Sequence, residues 1–305
     1  MKNTFRKMIA FMMAATVAVL SFAMPAFAGA PASANITAEE WEVLRLVNHE
    51  RFLDGLEPLT AFKTLQGAAD IRAEELTRLT EHERPNGEEC FTVLGEVGLK
   101  FSRAGENIAA GYRTPMDVVS AWMNSPGHRA NILTPEFMHI GIGFETRSND
   151  MYGTYWVQLF YTGMKCKYTS IKFIMPNRSA FPKGTGIDDM GIIGVLHCDE
   201  CGDCCLPISS DFCSGFNAYA AGTQTVTVSC CGVTGSFEVE IADMIIGDVD
   251  GDGSTTVADA LLAMRQAMEL ITLSGAQLAA GDIDGDGIVT VGDAIVILRM
   301  ALQLY

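Results

Sequence analysis

Residues 247–253 read Gly-Asp-Val-Asp-Gly-Asp-Gly, and residues 281–287 repeat the pattern as Gly-Asp-Ile-Asp-Gly-Asp-Gly. A near-identical segment that recurs at an offset of 34 residues indicates one structural unit present twice. Each copy places aspartates at alternate positions, where unpaired carboxylates repel one another unless a cation lies between them. The repeat therefore predicts two cation-binding turns near the C-terminus, in preference to a pair of solvated acidic turns.

The spacing within each copy fits a calcium loop. Calcium takes about six to eight oxygen ligands, and a loop of about 12 residues supplies them from positions one, three, five, seven, nine and twelve. In the first copy these are Asp248, Asp250, Asp252, the Ser254 carbonyl, Thr256 and Asp259. In the second they are Asp282, Asp284, Asp286, the Ile288 carbonyl, Thr290 and Asp293. Because a glycine also stands at position six of each copy, we expect two bound Ca²⁺ ions.

Each loop runs directly into an apolar helical stretch, residues 260–268 and 294–302, and we expect no helix before either loop. Paired loops of this kind make residues 247–304 resemble a type I dockerin domain. The resemblance implies calcium-dependent folding and docking to a cohesin module of a scaffoldin, as in cellulosomes that degrade polysaccharide. It also implies which residues contact the cohesin and help to select it: Val257, Ala258, Arg265, Val291, Gly292 and Arg299.

The first 28 residues predict an export signal. Lys2, Arg6 and Lys7 precede an apolar stretch, and Ala26-Phe27-Ala28 is a small-residue cleavage site. Without these residues the net charge falls from -16 to -19, which disfavours nucleic acid as a partner because phosphate binding needs Lys and Arg. No later segment is apolar for long enough to span a membrane. We therefore expect a secreted, extracellular protein attached to a cell-surface or cellulosomal scaffold.

Residues 36–165 mix helical and strand patterns and predict an α+β domain. Thr37 and Glu40 form a capping box before a first helix, and a second helix is predicted over residues 63–81. A third should begin after Thr114, because proline and aspartate follow it in the first turn. Residues 139–146 and 152–161 are rich in aromatic and β-branched residues and predict strands.

Several short motifs in this segment occur in a characteristic order: residues 46–51, 82–87, 105–109, 122–129, 140–143 and 155–158. Together they resemble the CAP superfamily of SCP-like extracellular proteins, in its bacterial form. The resemblance implies a three-layer α-β-α sandwich with an open cleft. It also implies a cleft set in which His82 and His128 are the histidines and Glu106 is a glutamate; Ser125 stands where the family has a second glutamate.

Three interpretations of His82, Glu106 and His128 remain open. The favoured one is structural, with the histidines hydrogen-bonded to Glu106 in a non-catalytic module that binds a lipid, peptide or glycan. A second is Zn²⁺ binding by His82 and His128 without turnover. The third is a hydrolase of peptide or polysaccharide that uses a metal-activated water, although Ser125 removes one carboxylate.

Residues 168–243 predict a small module of β-strands, with alternating patterns over residues 223–229 and 236–241. The module resembles bacterial immunoglobulin-like domains, which act mainly as spacers. It is rich in cysteine: Cys198, Cys201, Cys204 and Cys205 have a spacing that would suit zinc, and two further vicinal cysteines follow at 230–231. Disulfides are favoured over zinc in an exported chain. A disulfide between Cys90 and Cys166 is a further hypothesis.

Overall fold

The computed structural model describes residues 36–163, 167–176, 180–198 and 202–304, so the predicted export signal lies outside the described part. The first domain contains eight elements: α1 (Ala38–Leu53), α2 (Lys63–Leu76), α3 (Thr92–Glu96), β1 (Arg103–Ala110), α4 (Pro115–Asn124), α5 (Pro126–Ile132), β2 (His139–Thr146) and β3 (Thr154–Thr162). The predicted strand at residues 139–146 is confirmed. The next strand begins and ends within two residues of its prediction.

Strand β3 lies in the centre of an antiparallel sheet of order β1-β3-β2. Because successive side chains of a strand point to opposite faces of the sheet, β3 packs against different helices on its two faces. Val157 and Leu159 pack with α2, whereas Trp156 and Phe160 pack with the apolar faces of α1 and α4. Helices therefore cover both faces of the sheet, as the α-β-α sandwich requires.

Helix α2 approaches the sheet closely at Gly141 on β2. A Cβ atom at Gly141 would lie 2.5 Å from the Leu65 carbonyl oxygen, so only glycine fits. The side chain of Gln66 fixes the same contact: its Nε2 donates to the Ile142 carbonyl at 2.6 Å, and its Oε1 accepts from the Ile142 N–H at 3.2 Å. These contacts thus hold the backbones of α2 and β2 close together.

The caps at Thr37 and Thr114 are both present, which confirms the two predicted helix starts. The second helix is shorter than predicted, because α2 ends at Leu76 rather than at residue 81. The buried guanidinium of Arg72 donates to the Glu81 carbonyl at 3.1 Å. This bond draws the chain back across the end of α2, and the turn that results carries His82 toward the sheet.

The middle region forms strands in two sheets. Strands β4 (Tyr168–Ile174), β6 (Ile193–Cys198) and β7 (Gly202–Pro207) form one, in the order β4-β6-β7. The other has the order β5-β10-β9-β8 and contains β5 (Phe181–Pro182), β8 (Cys213–Ser214), β9 (Gly222–Cys230) and β10 (Val233–Ala242). The sheets contact each other through Phe173 and Phe237, whose ring centroids lie 4.8 Å apart. A β-rich region is confirmed, and its immunoglobulin-like topology stays a prediction.

The middle region packs against the first domain along a seam. Ala61 and Cys205 exchange two backbone hydrogen bonds of 2.7 Å. Next to them the hydroxyls of Thr60 and Tyr168 lie 2.7 Å apart, and His139 Nδ1 lies 2.8 Å from the Thr60 hydroxyl. Cys205 also belongs to the apolar core beneath α1. Polar and apolar contacts therefore join the two regions.

The C-terminal region contains α6 (Val257–Ala267), α7 (Gly275–Gly281) and α8 (Val291–Ala301). Ala263 of α6 and Ile297 of α8 pack together with Val249 and Val289 of the loops. The expectation that no helix precedes either loop is wrong for the second loop, since α7 ends immediately before Asp282. A capping box between Ser274 and Gln277 starts this helix.

Within the four described ranges, no helix combines the length and the apolar character needed to cross a membrane.

Candidate functional site

The first loop is organised around the carboxylate of Asp248. Its Oδ1 accepts hydrogen bonds from the backbone N–H groups of Gly251 and Asp252 at 2.9 and 3.0 Å, and its Oδ2 accepts from Gly253 at 2.9 Å. The loop backbone must curl tightly to make these bonds, and Gly253 has a φ of +92°, a conformation that favours glycine. The glycine at position six therefore has the role that the sequence pattern predicts.

The second loop repeats this arrangement around Asp282. Its Oδ1 accepts from Gly285 at 2.8 Å and its Oδ2 from Gly287 at 3.1 Å. Gly287 also has a positive φ, +89°. The sequence repeat is therefore a repeat of local geometry.

The last predicted ligand of each loop also starts the following helix. Asp259 Oδ2 accepts from the Thr256 N–H at 2.7 Å, while its Oδ1 accepts from the Asp250 N–H at 3.0 Å. Asp293 makes the matching bonds with Thr290 and Asp284, at 2.8 and 3.4 Å. Because Thr256 and Thr290 are N-caps, each helix begins at loop position ten, three residues before its predicted start.

Carboxylate oxygens converge in both loops. Ligand atoms of Asp248, Asp250 and Asp259 all lie within 4.8 Å of one another, as do those of Asp282, Asp284 and Asp293. Asp252 and Asp286 are not in these clusters; they cap the N–H groups of Ser254 and Ile288 at 2.9 and 2.8 Å. Burial and the neighbouring carboxylates raise the pKa of Asp284. This crowding fits a divalent cation.

The six residues that the dockerin resemblance assigns to partner contact are all exposed. They are accompanied by apolar side chains that the described residues leave uncovered. We call the set Val257, Leu261, Val291, Ile295 and Leu298 on α6 and α8 the docking strip; each of its side chains is more than a third exposed.

In the first domain, Glu106 is the centre of the cleft set. It lies on β1, its side chain is 1% exposed, and its Oε1 lies 2.8 Å from His82 Nδ1. The fully buried Arg72 donates from Nε to Glu106 Oε2 at 2.8 Å and from Nη2 to Oε1 at 3.4 Å. Both carboxylate oxygens are thus engaged by the protein itself.

Sequence reasoning missed the ion-pair network behind Glu106. Arg72 donates to Glu75 at 2.6 Å, and Arg84 donates to Glu75 at 2.7 Å and to Glu96 at 2.6 Å. The spacing of Arg72 and Glu75, three residues apart on a helix, was the available signal. Nothing local connects either residue with Glu106 on a distant strand.

The two cleft histidines differ in their surroundings. The hydrogen bond to Glu106 raises the pKa of His82. Burial, and then the nearby His82, lower the pKa of His128. The chain at His128 is anchored by its carbonyl, which accepts from Asn107 Nδ2 at 3.1 Å. The structure therefore brings His82 directly onto Glu106 and places His128 near His82.

A residue outside the expected set joins this cluster. Ligand atoms of His82, Cys90 and Glu106 all lie within 4.8 Å of one another, and His128 is not a member of that group. Cys90 is buried, and burial followed by the charge of Glu106 raises the pKa of its thiol to about 12. Its partner in the disulfide hypothesis, Cys166, lies outside the described residues, as does Cys201 of the zinc-like spacing.

Two family models match the chain, one over the region of the cleft and one over the region of the loops. Residues 44–160 match the CAP family model, described as the cysteine-rich secretory protein family, and residues 246–301 match the dockerin type I domain. The chain thus contains one segment that matches the CAP family model and one that matches the type I dockerin model.

Two Bacillus subtilis proteins are similar to the segment that matches the CAP model. The protein YkwD of Bacillus subtilis (strain 168) is 39% identical over 131 residues, which is 42% of this chain and 49% of YkwD. The membrane protein YlbC of the same organism is 29% identical over 113 residues, 36% of this chain and 33% of YlbC. The chain thus spans half or less of the length of these relatives.

Solved structures with similarity to the CAP domain include an extracellular protein with an SCP domain from Bacillus anthracis, at 22% identity and a TM-score of 0.35, covering 44% of this chain and 45% of the other. An outer surface protein from Borrelia burgdorferi has 21% identity and a TM-score of 0.37, covering 40% of this chain and 90% of the other.

Proposed function

We propose that this is an exported protein whose dockerin domain binds a cohesin module in a calcium-dependent way and so holds the CAP domain on an extracellular, cellulosome-type scaffold. The observation that carries the proposal is the pairing of two carboxylate clusters with the exposed docking strip. Each cluster lies at the start of a helix that presents part of this strip.

Bound calcium would order the docking strip by fixing the first turns of α6 and α8. Asp259 and Asp293 each belong to a carboxylate cluster and at the same time form the capping box of α6 or α8. A cation held by these carboxylates fixes the first turn of both helices. Because Ala263 and Ile297 pack the helices against each other, ordering their starts also orders the strip.

For the CAP domain, a non-catalytic binding role fits the cleft best. A general base needs a free carboxylate, whereas both oxygens of Glu106 accept hydrogen bonds from Arg72. Ser125, at the position of the second family glutamate, offers no carboxylate. We infer that this domain binds a lipid, peptide or glycan, and a binding screen against these three classes tests that role.

The test is calorimetric titration of the mature chain with a panel of cohesin modules, in Ca²⁺ and in excess chelator. Binding to a cohesin in Ca²⁺ that disappears with chelator supports the proposal. Val291→Asp together with Val257→Asp should abolish binding but leave calcium uptake intact, since both side chains are exposed. Failure to bind any cohesin of the panel, or binding that is the same with and without calcium, would contradict the proposal.

A second candidate function is hydrolysis of peptide or polysaccharide at the cleft, favoured by the 2.8 Å contact between His82 and Glu106. Turnover that disappears in both His82→Ala and His128→Ala, with cohesin binding unchanged, would establish it. Absence of turnover across cell-wall peptides and plant polysaccharides would leave the binding role.

A further inference from the structure

We propose that His82, Cys90 and Glu106 form a binding site for a thiophilic divalent cation of the Zn²⁺ type, with Cys90 rather than His128 as the ligand that completes it. This ligand set follows from the positions of the three side chains, whose donor atoms lie within 4.8 Å of one another.

Two segments build the site, the loop between α2 and α3 and strand β1. Glu106 extends from β1, His82 follows the turn after α2, and Cys90 lies just before α3. Two backbone interactions fix the chain between His82 and Cys90. Glu83 and Glu89 form an isolated antiparallel β-bridge, and the Arg84 N–H donates to the Glu88 carbonyl at 2.8 Å. The loop that carries two of the three donors is therefore preorganised.

The donor set suits zinc. Zn²⁺ binds imidazole nitrogen, thiolate sulfur and carboxylate oxygen, and three protein ligands leave a fourth position for water. Sulfur favours Zn²⁺ over Ca²⁺ or Mg²⁺, which prefer oxygen alone. The His82 side chain is 58% exposed, so a cation can reach the cluster from solvent even though Cys90 and Glu106 are buried.

The two oxygens of Glu106 are not equivalent. Oε2 is held by Arg72 Nε at 2.8 Å, whereas Oε1 faces His82 at 2.8 Å and lies 3.4 Å from Arg72 Nη2. Oε1 has the longer hydrogen bond to Arg72, so it is the oxygen that a cation would take over from His82. The hydrogen bond between Arg72 and Oε2 would then orient the ligating carboxylate, in the way that outer partners usually orient metal ligands.

Metal binding must displace a proton here, because a cation binds the thiolate of Cys90 and not the thiol. Uptake of zinc should therefore release protons.

The experiment titrates the mature chain with Cd²⁺, and then with Zn²⁺, in excess Ca²⁺ to saturate the dockerin loops. Cadmium bound to thiolate gives an ultraviolet charge-transfer band. We expect Cys90→Ser to lose the part of that band that Cys90 supplies and to weaken Zn²⁺ binding at the cleft at least about 100-fold, more than the loss of an outer partner usually costs. His82→Ala should weaken binding similarly.

Two variants serve as matched controls. Cys213→Ser removes a half-buried thiol of the middle region, and His128→Ala removes the histidine outside the cluster. Both should keep the Cys90-dependent band and the Zn²⁺ affinity. Circular dichroism and thermal melts establish that each variant is folded. If Cys90→Ser does not fold, X-ray absorption of the zinc-loaded wild type should still show one sulfur at about 2.3 Å beside lighter ligands at about 2.0–2.2 Å.

Several results would overturn the inference. One is a Cys90→Ser chain that binds Zn²⁺ and Cd²⁺ like the wild type. Another is a site that depends on His128 but not on Cys90, or a zinc shell without sulfur or made of sulfur alone. Peptide mapping without reductant that finds Cys90 in a disulfide would also overturn it. None of these results bears on cohesin docking, which the calorimetric test addresses separately.

Discussion

Arg72 on α2 and Glu106 on β1 form an ion pair that is shut off from solvent: Nε and Oε2 lie 2.8 Å apart, and the side chains are 0% and 1% exposed. A buried charge without a partner is very unfavourable, so each residue depends on the other. The pair also joins a helix to the sheet and sets the position of the cleft glutamate.

Replacing Arg72 with leucine should therefore strongly destabilise the CAP domain. The variant leaves Glu106 buried without its main partner, and we expect a loss of about 3–5 kcal/mol in the free energy of unfolding, measured with urea. Arg78→Leu is the control, since this exposed arginine pairs with Glu74 at 3.5 Å and should cost less than about 1 kcal/mol. Equal losses in the two variants would contradict the prediction.

The cleft histidines should titrate in opposite directions from the ordinary value of 6.5. The bond to Glu106 raises the pKa of His82 in the folded state. Its contribution to stability is thus fully present below the unfolded pKa and is lost as the pH rises through the folded one. Burial lowers the pKa of His128. Histidine NMR titration checks both shifts, and a His82 that titrates below His128 would refute them.

Replacing Asp248 should eliminate calcium binding at the first loop, and replacing Asp282 should eliminate it at the second. Both carboxylates accept backbone N–H groups and belong to the carboxylate clusters, so Asp248→Ala and Asp282→Ala lose cation ligands and loop contacts together. We expect isothermal titration to show uptake at one loop rather than two, with less helical signal. Asp243→Ala is the control, because this exposed residue precedes the first loop and pairs with Lys183. Unchanged uptake in both loop variants would rule out this arrangement.

Gly141→Ala should destabilise the sandwich by about 1–3 kcal/mol, as overpacking usually does. The added methyl group would collide with the Leu65 carbonyl oxygen at 2.5 Å and push α2 from the sheet. Gly127→Ala, in open space within α5, should be neutral or slightly stabilising because alanine favours helix. The comparison is made by thermal unfolding, and equal midpoints would count against the close packing.

Glu40 should give the CAP domain a stability that falls as the pH rises toward neutrality. Burial raises the pKa of this side chain from 4.5 to about 7, so the folded state binds a proton that the unfolded state has lost. Stability then decreases with pH between those values. Asp70 adds to the effect, as burial raises its pKa to about 6. Urea unfolding of wild type and Glu40→Gln across this range should show a weaker pH dependence in the variant.

Local signals in the sequence predicted local structure well. The capping residues Thr37 and Thr114 marked helix starts correctly, and runs of aromatic and β-branched residues marked β2 and β3. The loop spacing also predicted the tight turn at Gly253. In each case the residues that determine the local structure lie within a few positions of one another, so a local sequence pattern reveals it.

Features that depend on distant contacts were not predicted. Strand β1 was missed because it contains Gly105, Glu106 and Asn107, which have little intrinsic strand preference. Its partner strand β3 supplies the backbone hydrogen bonds that make it a strand. In the same way, no nearby residue indicates that Cys90 approaches Glu106. Only the folded sheet brings these two side chains together.

The seam at Ala61 and Cys205 has a practical consequence for anyone who expresses parts of this chain. A fragment that stops at residue 163 would expose the backbone groups of Ala61 and the hydroxyl of Thr60, both of which the middle region covers. Uncovered strand edges recruit other chains, so such a truncation invites aggregation. Cloning boundaries set after Ala242, where β10 ends, would keep that edge capped.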